Sequence, residues 1–166
     1  MNKIIILICL FASAGFFSCK KDEFTGVTVN QPAVPVTVSN LFGIYNGVST
    51  VSASLSGGGV LTIALSIPAA SGRTIKEITR VGIASTPNNY KVVETATGLY
   101  NSAPIAGSGN SVTFTTSLSE YTSKTGLSVT LSGTATSFLA RYFIFLVTLD
   151  NGDQVYPIGV RVYVAA

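Results

Sequence analysis

The chain predicts an all-β fold, an antiparallel β-sandwich of seven to eight short strands. Three observations carry that reading. Apolar residues alternate with small or hydroxylated ones, most clearly where Leu61, Ile63, Leu65 and Ile67 interleave with Thr62, Ala64 and Ser66. The composition suits strands and turns: 38 of the 166 residues are Ser or Thr, 16 are Gly, and only 10% are charged. Clusters of Gly, Pro and Asn recur between the alternating runs, the punctuation expected of many short strands.

The elements follow in order. Val34, Val36 and Val38 alternate between Pro32 and Asn40, and a strand is expected over 45–55. Gly57-Gly58-Gly59 breaks the chain before the run that starts at Leu61. Residues 68–72 turn, and 75–84 make the next strand with Val81 and Ile83 inward. Pro87-Asn88-Asn89 is read as a turn, 90–97 as a strand and 101–110 as a long loop. Val112, Phe114 and Thr116 alternate; residues 118–124 suit one helical turn capped by Ser117 or Ser119. Leu127, Val129 and Leu131 alternate again, and 138–149 is apolar on both faces, as a central strand should be. Asp150-Asn151-Gly152-Asp153 is a hairpin turn, because Asn-Gly readily takes positive φ angles. The last strand, 155–164, places Ile158, Val160, Val162 and Val164 on one face, and Pro157 within it marks an edge or a bulge.

Residues 142–149, the hairpin and the final strand resemble the last two strands of immunoglobulin-like and fibronectin-type domains. That resemblance implies an immunoglobulin-like sandwich with Tyr142 as its corner tyrosine. On the residues alone, Tyr142 is equally a core or interface tyrosine, and a transthyretin-like sandwich fits the same pattern.

The N-terminus reads as an address. Asn2 and Lys3 precede residues 4–17, which carry no charge, and then come Ser18 and Cys19. Fourteen such residues are too few to span a bilayer, which takes about 18 or more, but they suit the hydrophobic region of a signal peptide. Ser18-Cys19 at its end resembles a bacterial lipoprotein signal, although Phe16 stands where an aliphatic residue is usual. The resemblance implies cleavage after residue 18 and acylation of Cys19, giving attachment to the outer membrane through an N-terminal lipid. An ordinary secretory signal cut near Ser13 or Ala14, or an uncleaved anchor, fits the residues as well. Lys20, Lys21, Asp22 and Glu23 resemble the surface-export signal of Bacteroidota lipoproteins; a solvated tether needs no more than the same charges. The expected plan is a signal over 1–18, a lipidated tether over 19–32 and a sandwich over 33–166. By that resemblance neither Cys9 nor Cys19 remains as a free thiol in the mature chain.

Composition narrows the chemistry. Without His there is no Ser-His-Asp triad, Cys-His dyad or imidazole metal ligand. Ten Lys and Arg against seven Asp and Glu is too small an excess for nucleic-acid binding. Glu77 and Glu94 on neighbouring strands are a pair to weigh for glycosidase chemistry, but solvated strand positions explain them. Asp150 and Asp153 supply too few oxygens for Ca²⁺, and the glycine runs lack a phosphate-loop context. No catalytic residue, metal or cofactor is therefore expected. Arg73, Lys76 and Arg80 form the densest basic cluster, with Lys76 and Arg80 on one strand face, and suit anionic lipopolysaccharide or acidic sugars. Tyr45, Tyr90 and Tyr100 sit at strand ends or in loops, where flat rings suit glycan contacts.

The whole-chain plan resembles accessory surface lipoproteins of Bacteroidota. It implies a non-enzymatic protein that binds glycan or an outer-membrane protein complex. A fimbrial or adhesive subunit exchanging strands, with 24–38 as donor, and a periplasmic envelope-maintenance lipoprotein are the alternatives.

Overall fold

The computed structural model describes residues 34–129 and 138–166. The fold is an all-β sandwich with three hydrogen-bonded sheets among the described residues. Seven strands have three or more residues: β2 (Gly43–Tyr45), β3 (Val48–Ser54), β4 (Val60–Ser66), β5 (Ile75–Ala84), β7 (Ser111–Ser117), β8 (Tyr142–Leu149) and β10 (Arg161–Ala165). Three have two: β1 (Thr37–Val38), β6 (Ile105–Ala106) and β9 (Gln154–Val155). The ladder orders are β1-β4-β7, β10-β3-β2 and β6-β5-β8-β9.

The inner faces of all three meet in one core. Leu61, Ile63 and Leu65 of β4 and Phe114 of β7 pack there with Ile78 and Val81 of β5, Phe143 and Phe145 of β8, and Val162 and Val164 of β10. Phe114 sits edge-on to Phe145, with centroids 5.7 Å apart. Strand β8 is buried on both faces, as its continuous apolar run predicts. Its second face, Ile144 and Leu146, packs with Ala84 and Val93 in a separate small cluster.

That second face explains the first correction. Residues 90–97 are not a strand: Lys91–Glu94 is a single helical turn, α1, which lays Val93 over β8. Gly82 lets it approach, because a Cβ there would stand 2.7 Å from Val92 Cγ2. The second correction concerns 45–55. Asn46 (φ 53°) and Gly47 (φ 76°) make a two-residue turn between Tyr45 and Val48, so the segment is a hairpin of β2 and β3.

At the hairpin between β8 and β9, only Gly152 of the Asn-Gly pair takes positive φ. Asn151 instead accepts a hydrogen bond from Asp153 N at 3.1 Å through its side chain. The final strand is broken around Pro157. Val160 pairs with Phe143 through two backbone bonds of 3.0 and 2.8 Å, and the chain then leaves β8 to run parallel to β3. Ile158 falls in the break and is exposed, whereas Val160, Val162 and Val164 are buried. Leu127–Val129 is in no ladder, and Leu131 lies outside the described residues.

The helix after β7, α2 (Leu118–Thr125), forms at the expected place but runs two turns. Ser117 Oγ accepts from Glu120 N at 3.0 Å, and Gly126 ends the helix in the left-handed region. Tyr142 starts β8 with its ring on the outer cluster and 5.7 Å from the Arg161 guanidinium carbon.

Candidate functional site

The ladder β10-β3-β2 has one face in the core and one facing outward. Paired residues point the same way, so Tyr45 pairs with Val48, Gly43 with Thr50, Thr50 with Arg161, and Ser52 with Tyr163 on the outer face. Val48 and Thr50 are nonetheless buried.

Phe42 and Tyr163 stack at 5.2 Å between centroids with 10° between planes; Phe42 and Tyr45 lie at 6.4 Å and 13°. Three rings are thus near-parallel. Phe138 stands edge-on to two of them, 5.2 Å from Tyr45 and 5.5 Å from Tyr163. The Arg161 guanidinium carbon lies 4.1 Å from the Phe138 ring centroid. Phe42 is 51% exposed and Tyr45 40%, with Leu41 also exposed. Aromatic side chains usually hide such area, so a contiguous exposed group of them suits binding. Stacked rings cover part of each other, and the C–H face of a sugar ring can lie on a ring face that the stack leaves open.

Sequence reading names one member of this platform, Tyr45. The others arise from pairings that bring β2, β10 and residue 138 together. The available signal was the alternation of Arg161 and Tyr163 against the buried Val160, Val162 and Val164.

The other proposed contacts are elsewhere. Tyr100 is no surface residue: it is 4% exposed, wedged edge-on to Phe114 and Phe143. Its hydroxyl bonds Thr116 Oγ1 at 2.8 Å, and burial pushes its pKa up. Tyr90 is half-buried over the outer cluster, 5.7 Å from Tyr156. The basic cluster does not assemble as expected. Two bulges in β5 interrupt the alternation that would align Lys76 with Arg80. Arg80 turns across α1 and donates to the carbonyls of Val93 (3.0 Å) and Glu94 (2.6 Å). Lys76 and Arg73 remain exposed. Glu77 and Glu94 are not set opposite each other: β5 is flanked by β6 and β8, and Glu94 ends α1.

An open cleft of about 600 Å³ lies between Gly98–Ser102 and α2, lined also by Lys124, Thr125 and Arg141. Lys124 there is held by Glu120 at 2.7 Å and by the Tyr100 carbonyl at 2.5 Å. The Lys124 and Thr116 contacts hold the Glu120 carboxyl below the usual carboxylate range. This network fastens α2 to β7.

Cys19, Lys20, Lys21, Asp22 and Glu23 lie outside the described residues. Comparison with protein-family models, with curated proteins and with solved structures finds no match to this chain.

Proposed function

We propose that this protein is a non-enzymatic, lipid-anchored surface protein that binds glycan on the platform of Phe42, Tyr45, Phe138 and Tyr163. One observation carries the binding half: on an outward sheet face the exposed or half-buried rings of Tyr45 and Tyr163 each lie within 13° of parallel to Phe42. The Ser18-Cys19 junction and the charges of 20–23 support the anchoring half. The lipid supplies membrane attachment, and stacking supplies recognition.

A glycan array probed with wild type and with Phe42→Ala/Tyr45→Ala tests the first half. Binding that the double variant retains in full would remove the platform from the proposal. Labelled fatty acid tests the second: it should enter wild type and not Cys19→Ala.

A second reading, an adhesive subunit that pairs strands with a neighbour, draws on β2. Among the described residues β2 is a sheet edge, Ile44 on it is 66% exposed, and residues 24–72 contain no charge to discourage pairing. Ladders on unboiled gels, with no glycan bound, would favour it.

A further inference from the structure

We propose that the platform takes an acidic sugar, a uronic acid or similar carboxylated residue, whose carboxylate is read by Arg161. The inference rests on the glycan reading above and names the ligand class for the same site.

The cation and the stacking rings form one continuous patch. Arg161 packs on Phe138, and Phe138 touches both Tyr45 and Tyr163. Tyr142 lies on the guanidinium as well, at 5.7 Å. Two rings therefore flank the guanidinium, which limits the ordering that binding requires.

Among the described residues no carboxylate pairs with this charge: the ion pair is Lys124 with Glu120, and no carboxylate stands within 4.0 Å of Arg161. Arg161 Nε is buried and has no hydrogen-bond partner among the described residues. Asp150 and Asp153 belong to the hairpin at the Leu149 end of β8, whereas Arg161 sits by Tyr142 at its start. Seven strand steps separate those ends, roughly 23 Å at the usual rise. Elsewhere the chain does satisfy an arginine, since Arg80 bonds two carbonyls.

A planar fork beside stacking rings matches a sugar that carries a planar carboxylate. The pyranose face lies on Phe42 and Tyr45, and the carboxylate oxygens accept from the outer guanidinium nitrogens. Lysine, a point charge, would match that geometry less well.

The test is titration calorimetry on the purified full-length chain in detergent. The probes are oligogalacturonate, oligoalginate and a hyaluronan tetrasaccharide, each against its carboxyl-reduced neutral form. At least one acidic probe should bind ten-fold or more tightly than its reduced form. Arg161→Gln should abolish that preference, so that the acidic and the reduced form bind it equally. Arg161→Lys should keep only part of it. Thermal melts check that the variants fold, and if Arg161→Gln does not, Arg161→Lys decides. Equal affinity for charged and reduced sugars, or a preference that survives in Arg161→Gln, overturns the acidic assignment while glycan binding stands. No binding to either kind, here or on the array, overturns both readings.

Discussion

The ring of Tyr45 folds back over Gly43, so that a methyl group on residue 43 would meet Tyr45 Cε2 at 2.9 Å. The two residues belong to the same short edge strand and point to the same outer face. Glycine at 43 therefore makes room for a ring of the proposed binding surface.

The atom in the way is the far end of a mobile side chain, so Gly43→Ala should move the ring at little cost to the fold. We expect a stability change within about 1 kcal/mol and a several-fold loss of glycan affinity. Unfolding curves and titrations on the same protein check both. Unchanged affinity would mean that the Tyr45 position is not used.

Gly82 should behave differently. A Cβ there meets Val92 Cγ2 at 2.7 Å and the Val92 carbonyl oxygen at 2.9 Å, and backbone yields less readily. Gly82→Ala should lift α1 off β8, expose Ile144 and Leu146, and cost about 1–3 kcal/mol. A lowered denaturant midpoint is the readout.

Tyr100 is expected to matter for stability and not for ligand. Thr116 donates to Glu120 Oε2 at 2.8 Å, because a carboxylate only accepts, so the Tyr100 hydroxyl donates to Thr116. Tyr100→Phe removes the first link and should cost about 0.5–1.5 kcal/mol. Glycan titration should be indistinguishable from wild type.

Glu120 gives the fold an acid dependence. Its folded pKa is lowered by the hydrogen bond from Lys124 and then by that from Thr116. The folded state thus binds fewer protons, and the stabilisation is complete above the unfolded value of about 4.3. It is lost as pH falls through the lower folded value. The pair is partly exposed, so Glu120→Gln should cost no more than about 1 kcal/mol at pH 7. Melts of both proteins from pH 7 to pH 2.5 should converge in acid. A gap that stays constant across that range would show that the carboxylate charge contributes nothing.

What the sequence determined was local. Alternation of period two located β4 and β7 and said which of their residues face inward, because that period is a property of a single strand, while a continuous apolar run located β8. The Ser117 cap and the glycine breaks were likewise readable, since each acts within a few residues. Alternation assigns a side chain to a face but does not choose the neighbouring strand. The parallel pairing of β10 with β3 was decided only when Val160 joined Phe143 and the chain crossed to another ladder. The second apolar face of β8 needed a cover, and Val92-Val93, strand-like by propensity, supplied it as a helical turn. Tyr100, polar enough to read as a loop residue, turned inward because Thr116 was there to receive its hydroxyl. The platform is the fullest case: residues 42, 45, 138 and 163 share no local pattern, and only long-range packing makes them one surface.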